Sequence, residues 1–423
     1  MIERIAFACL LIPFAAAADL AAKPFKPSGI YSLGEKAGWD IEADSVATAY
    51  RYTLLKNNLT VIGSGTLDPR QPARIEATLD EPAMLYVRIE DDDPATKDIA
   101  LGAAIAPQLL KPSVPEPRDF DRFWARKLRL LKKTPANPVL TPKESDKSGV
   151  EYALLRMDHI EGRHIHGQVA KPARKGKFPG LVLFQWASPP YPLQQSWVTD
   201  RAAQGWLTVN IEPHDVLPDQ PQSYYDALPK ELKEYSNIGR DDRDRNYFLQ
   251  MYLADYRAIE YLASRPDWDG KTLVVMGTSM GGQQGLCATA LNPKVTALIV
   301  HVPSGADSNG PLHGRASGYP FWNATSPRMY QTALYFDTVN CAARIRAPTL
   351  VSMGFLDTVS PPVGIYAAFN RIRGYKEVIP LADSPHNHEA TAEQQAPYTK
   401  RSGEWLKILL NGGGVQELRL KPE

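Results

Sequence analysis

Between residues 25 and 105, apolar and polar positions alternate in short segments such as "TAYRYTLL" and "AMLYVRIE", separated by turn-rich pieces such as "NNL", "DPRQP" and "DDDP". A period of two residues with turn signals between predicts short antiparallel strands, and their number fits a small all-β sandwich over residues 19–108. The stretch "KPSVPEPRDF" follows, and its three prolines disfavour regular structure and predict a linker over 109–118. From Asp119 the texture changes. In "DFDRFWARKLRLLKK" the residues Phe120, Phe123, Trp124, Leu128 and Leu131 recur at helical spacing, behind an acidic cap and ahead of Lys132 and Lys133. Unbroken apolar runs then alternate with helical stretches: "GLVLFQ" at 180, "WLTVNI" at 206, "TLVVMG" at 272, "ALIVHV" at 297, "TLVSMG" at 349 and "EVIPLA" at 377. Strands apolar on both faces, with helices between them, predict an α/β domain over 119–423 built on a doubly wound, mostly parallel sheet.

The first residues, "MIERIAFACLLIPFAAAADL", place Arg4 before an apolar stretch and a run of alanines before Asp19. That pattern predicts a cleaved signal peptide over 1–18 and a secreted or periplasmic protein. No later stretch has the eighteen consecutive apolar residues that a membrane span needs. The 48 Lys and Arg balance 47 Asp and Glu, a formal net charge of +1, so no long-range field would gather nucleic acid or an anionic membrane. Removing the signal leaves Cys287 and Cys341, which excludes a disulfide framework. They are expected as small buried apolar side chains, with one bridge optional.

Gly277-Thr278-Ser279-Met280-Gly281 sits between a strand candidate and a helix candidate, the context of a G-x-S-x-G nucleophile elbow. Such a turn lifts one hydroxyl out of the sheet, and glycines flank it because side chains have no room there. A serine hydroxyl needs a base, and the base needs an acid to orient it. Asp357, in "GFLDTVSPP", lies where a strand exits into a loop and is the candidate acid. Of its rivals, Asp337 is expected to begin a helix and Asp383 lies too near the histidine loop. That loop, "SPHNHE", offers His386 and His388, with His388 preferred as the base and His386 expected to line the site. The histidine pair lacks a third ligand at fitting spacing, so neither metal nor cofactor is expected. His164 and His166 are expected on one face of a strand, packed or solvated.

These segments together resemble the acetyl xylan esterase and cephalosporin C deacetylase family, carbohydrate esterase family seven, of the α/β-hydrolase fold. The resemblance runs over nearly all of 112–412. It is carried by "DFDRFWARKL", "MYLADYRAIEYLASRPDWD", "GTSMGGQQGL" and above all "YFDTVNCAARIRAPTLVSMGFLDTVSPPVGIYAAFNRIRGYKEV", with the HE pair beyond. It implies a triad of Ser279, Asp357 and His388, with backbone N–H groups of Met280 and Ala187 as oxyanion donors, and it allows homo-oligomers. Two departures stand out. "FQWASPPY" replaces the family's histidine-glycine-tyrosine loop, which makes Gln185, Trp186 and Tyr191 pocket candidates together with His386, and "NIEPHDVLPDQ" replaces an arginine-glycine-glutamine motif. The N-terminal sandwich is an addition to the family pattern and is expected to serve as a packing module.

The reading is a serine esterase that hydrolyses acetyl esters on carbohydrate, of the xylan or xylo-oligosaccharide type, or on a small acetyl ester. Two alternatives remain open at this point: a general short-chain carboxylesterase or other serine hydrolase, and an inactive glycan-binding scaffold.

Overall fold

A computed structural model of the protein describes residues 20–42, 50–68, 71–90, 98–186, 189–322 and 326–420. The signal read over 1–18 and the oxyanion candidate Ala187 lie outside the described residues. Eight strands come first: β1 (Ala21–Pro24), β2 (Ile30–Tyr31), β3 (Lys36–Glu42), β4 (Tyr50–Lys56), β5 (Thr60–Leu67), β6 (Ala73–Thr78), β7 (Ala83–Glu90) and β8 (Ile99–Ile105). They form a three-stranded sheet, β1-β3-β6, and a five-stranded sheet, β2-β8-β7-β4-β5. Alternation explains how they pack. Leu85, Val87 and Ile89 of β7 point inward against Trp39, Ile41 and Ile75 of the smaller sheet, while Arg88 between them is exposed.

The outer face of the larger sheet is covered by the α/β part. Met84, Ala104 and Leu110 belong to the same apolar core as Phe355, Tyr366 and Val182. The proline-rich connection is pinned as well. Ser113 donates through its backbone N–H to Asp307 at 2.8 Å, and Glu116 pairs with Arg344 and Arg371 at 2.7 and 2.8 Å.

Nine further strands make the main sheet: β9 (Val139–Lys143), β10 (Val150–Asp158), β11 (His164–Pro172), β12 (Phe178–Phe184), β13 (Leu207–Ile211), β14 (Trp268–Thr278), β15 (Ala297–His301), β16 (Thr349–Gly354) and β17 (Lys376–Leu381). Their order is β17-β16-β15-β14-β12-β13-β11-β10-β9, parallel from β12 through β17 and antiparallel from β9 to β11. This is the α/β-hydrolase architecture, and all six unbroken apolar runs are strands in it. Because consecutive residues face opposite sides, one run feeds two cores. Val182 and Val275 join Ile259, Leu262 and Leu286 of the helices Tyr247–Ser264 and Met280–Leu291. Leu181 and Val274 join Trp405 and Leu409 of the helix Ala392–Leu410 on the other face.

Strand β12 lies between β13, which follows it in sequence, and β14, so the winding direction reverses there. The carboxyl ends of β12 and β14 therefore open a crevice, the place where an open α/β sheet holds its ligand. Among the described residues, no helix is long and apolar enough to cross a membrane.

Candidate active site

Ser279 stands at that crevice, between the last residue of β14 and the first of the helix Met280–Leu291. Its backbone has φ 56° and ψ −121°, a conformation that costs a non-glycine residue of order 1–3 kcal/mol and persists only where surroundings enforce it. The surroundings are its glycines. A Cβ on Gly277 would sit 2.1 Å from the Gly281 carbonyl oxygen, and one on Gly281 would sit 2.3 Å from that of Phe184. The second contact presses the start of the helix against the exit of β12. The Met280 backbone N–H thus opens a helix directly beside the serine, where the helix dipole favours negative charge.

The base is His386. Its Nε2 lies 2.8 Å from Ser279 Oγ and its Nδ1 lies 2.7 Å from Asp357 Oδ2. A carboxylate can only accept, so Nδ1 carries the proton and Nε2 presents its lone pair to the serine. Asp357, 2% exposed, is fixed by N–H bonds from Val359 and Ser360 to its Oδ1 at 2.9 and 2.6 Å. The expectation that placed His388 against the serine and Asp357 is corrected: the hydrogen bonds run through His386. The N–H of Leu356 donates to the Ser384 carbonyl at 3.1 Å, tying the histidine loop to the loop of Asp357, and the N–H groups of Glu389 and Ala390 close a turn on the His386 carbonyl. That turn delivers residue 386 onto the carboxylate and sends residue 388 outward. The His388 side chain is 61% exposed, with its Nε2 3.4 Å from Glu389.

Asp337 begins the helix Thr338–Ala342, where its carboxylate accepts N–H bonds from Asp307, Ser308 and Val339. Burial, reinforced by the charge of Asp307, pushes it up to about 6. Its oxygens are committed to backbone. Asp383 is exposed.

A cavity of about 340 Å³ opens over Ser279, lined by Trp186, Tyr235, Tyr319, Met280, Val359 and the two histidines of the loop. Trp186, 45% exposed, forms part of that lining. Gln185 and Tyr191 do not, and the reasons are local. The Gln185 side chain turns inward, its Oε1 accepting from Asn210 Nδ2 at 3.2 Å, and the ring of Tyr191 backs Trp186 at 4.6 Å while its hydroxyl donates to the Trp186 carbonyl at 2.8 Å. The wall opposite is aromatic, with the hydroxyls of Tyr235 and Tyr319 bonded to each other.

Two residues in the site carried no signal in the sequence. Ser304 Oγ lies 3.3 Å from Ser279 Oγ and 2.7 Å from Ser360 Oγ, so a chain of hydroxyls runs from the serine to the residue that caps Asp357. Isolated serines in loops have no spacing to mark them. The cysteines depart from the bland expectation too: Cys287 and Cys341, both buried, form a disulfide that ties the elbow helix to Thr338–Ala342. Among the described residues, one group could hold a metal ion, His164, His166 and Asp215, whose donor atoms lie within 4.8 Å of one another. Within it His166 Nε2 lies 3.2 Å from Asp215, and the backbone N–H of His164 donates to the same carboxylate. The group forms no part of the serine centre.

The chain has relatives. Residues 108–309 and 321–405 match a family model described as acetyl xylan esterase. Over 392 residues the chain is 31% identical to an acetyl esterase, Axe7A, of Xylanibacter ruminicola, covering 89% of this chain and 88% of that one. Among solved structures, an acetyl xylan esterase from Paenibacillus sp. R4 is similar with a TM-score of 0.60 at 25% identity, over 71% of this chain and 98% of its own. Acetyl xylan esterase 1 from Thermoanaerobacterium sp. JW/SL YS485 shares the fold, with a TM-score of 0.59 at 21% identity over 72% of this chain and 97% of its own.

Proposed function

Because this chain belongs to the acetyl xylan esterase family and is a carboxylic ester hydrolase, we propose that it removes acetyl groups from xylan or xylo-oligosaccharide, outside the cytoplasm, by a Ser279–His386–Asp357 mechanism. The observation that carries this reading is the hydrogen-bonded line from Asp357 through His386 to Ser279 at the floor of an aromatic pocket.

Each group has one task. Ser279 Oγ attacks the acetyl carbonyl carbon while His386 Nε2 takes its proton, and Asp357 holds the imidazole and balances the imidazolium that forms. The Met280 N–H meets the oxyanion, together with the N–H assigned from sequence to Ala187. As the tetrahedral species collapses, His386 returns the proton to the departing sugar oxygen. Water, deprotonated by the same imidazole, then attacks the acetyl-serine, releasing acetate and restoring the hydroxyl. The scissile bonds belong to substrate and acyl-serine alone, so the chemistry balances without a further reactant.

Acetate release from acetylated xylo-oligosaccharides tests the reading, and an acyl series on one alcohol sharpens it. Trp186 beside the serine leaves room for a two-carbon acyl group and crowds longer ones, each added methylene costing about 1 to 3 kcal/mol. Specificity constants should fall stepwise from acetyl through propionyl to butyryl esters, and Trp186→Ala should flatten the series. Equal rates on acetyl and hexanoyl esters would move the protein to the general carboxylesterases.

Location outside the cytoplasm rests on "MIERIAFACLLIPFAAAADL" and on the Cys287–Cys341 disulfide, a bond that persists in oxidising compartments. Protein isolated from its native host should begin near Asp19; recovery of an intact Met1 would end this part of the proposal.

A further inference from the structure

A second cavity, of about 560 Å³, adjoins the serine pocket and is not used by the mechanism. The two share Trp186 and Thr278, the residue before the nucleophile. The floor of this second cavity is the carboxyl ends of β12, β13 and β14, at Leu183, Asn210 and Met276. One side is the helix Ser196–Ala203, which supplies Trp197 and Arg201, and the other is Tyr398 of the helix Ala392–Leu410.

Three features say what would fit there. First, the aromatic lining is held in place. Trp186 stacks on Tyr191 at 4.6 Å and meets Trp197 edge to face at 5.9 Å, so its indole is a fixed plate between the cavities and not a loose side chain. Second, polar groups surround that plate: Gln194, Asp200 and Gln204 at the exposed rim and Gln185 within. The Gln185 Nε2, buried, has no hydrogen-bond partner among the described residues, and an unsatisfied buried donor costs about 1–3 kcal/mol. Aromatic plates ringed by hydrogen-bonding groups suit a sugar, which has apolar C–H faces and polar edges.

Third, the cavity contains one cation without a matching anion. Asp200 is paired with Lys147 at 2.8 Å, but among the described residues no carboxylate forms an ion pair with the Arg201 guanidinium. Among the described residues its side chain makes one hydrogen bond, from Nη1 to the neutral Gln204 Oε1 at 3.2 Å. Burial disfavours its charged form. A half-buried arginine that stays charged without a carboxylate gains from one supplied by a ligand, because a planar guanidinium holds a carboxylate through two parallel hydrogen bonds.

We propose that this second cavity is the subsite for the sugar chain of the substrate, and that Arg201 there binds the carboxylate of a uronic acid carried on that chain. The inference rests on the deacetylase reading above. With the uronate on Arg201 and a neighbouring sugar against Trp186, an acetylated hydroxyl can reach over the shared wall at Thr278 to Ser279. The protein then selects esters near acidic branches.

The test compares acetate release from two acetylated xylo-oligosaccharides, one with a single uronic acid branch and one without. At low ionic strength the branched substrate should have about a tenfold higher kcat/KM, and the advantage should shrink as salt is added. Arg201→Gln should abolish the preference and Arg201→Lys should keep part of it. Equal rates on the pair with unmodified protein, or a preference unaltered by Arg201→Gln, overturns the subsite. Should Arg201→Gln fail to fold, the salt dependence of the unmodified protein decides by itself. Failure of the deacetylase reading looks different: acetate from p-nitrophenyl acetate and none from either oligosaccharide. The subsite is then read by calorimetry, as binding of the deacetylated uronate-bearing oligosaccharide to Ser279→Ala protein; binding supports it and absence of binding overturns it.

Discussion

His386→Ala is expected to lower kcat on p-nitrophenyl acetate by about three orders of magnitude or more, while His388→Ala should cost less than about tenfold. The asymmetry follows from the hydrogen bonds. Only the imidazole of residue 386 touches both Ser279 Oγ and Asp357, at 2.8 and 2.7 Å, and removing it leaves the hydroxyl without a base and a buried carboxylate without its partner. The ring of His388 lies 5.2 Å from that of His386 at the mouth of the pocket, where its loss alters contacts with substrate and no proton transfer. A fluorophosphonate probe gives an independent reading: Ser279 in His386→Ala protein should label far more slowly than in His388→Ala protein. The opposite ranking would return the base to residue 388. Near-equal losses would mean that the loop rearranges in solution and that either imidazole can serve.

That one pair of residues shows where sequence reading stops. The elbow was legible because its requirements are local: two glycines, a serine between them, an apolar run before and a helix after. Asp357 was legible because an acid at a strand exit in this fold has few other uses. Choosing between histidines two positions apart requires knowing which way a loop turns, and that direction is set from outside the loop, by the Leu356 to Ser384 hydrogen bond and the Asp357 carboxylate. The resemblance to the esterase family points at His388, the histidine followed by Glu389, whereas the hydrogen bonds to Ser279 and Asp357 run through His386.

The strands divide in the same way. The six buried runs announced themselves by apolar continuity. Strands β9, β10 and β11 did not, since β9 is exposed throughout and β11 carries His164, His166 and Gln168 among its apolar residues. These strands exist because backbone pairing extends the sheet beyond β13, a tertiary cause with little trace in their composition. The disulfide joins residues 54 positions apart, so nothing in the local sequence of either cysteine could announce it. Gln185 and Tyr191 lie beside Trp186 but do not line the serine pocket, for orientation again depends on partners, here Asn210 and Trp186.

Replacement of Glu212 by glutamine should make the protein more stable relative to its parent as pH rises, and the trend, more than the offset, is the signature. Glu212 follows β13 in "NIEPHDVLPDQ", the segment that departs from the family, and is 1% exposed. Neither of its carboxyl oxygens has a hydrogen-bond partner among the described residues, and burial raises its pKa well above the ordinary value of 4.5. The folded protein therefore keeps a proton that the unfolded chain releases. Below the unfolded value both states are protonated and this side chain makes no pH-dependent difference. Above it, unfolding sheds a proton, so rising pH draws the equilibrium toward the unfolded chain by up to about 1.4 kcal/mol per pH unit until the folded carboxyl itself ionises. Glutamine keeps the shape and cannot ionise, so Glu212→Gln removes that slope. Denaturation midpoints measured from pH 4 to pH 8 should differ little between the two proteins at the acid end and diverge steadily above about pH 5. Asp255 is also buried, with neither oxygen partnered among the described residues and its pKa raised, but it is present in both proteins and cancels in the comparison. A gap that stays constant across the range would mean that Glu212 is ionised in the folded protein, which would require a positively charged partner close to its carboxylate.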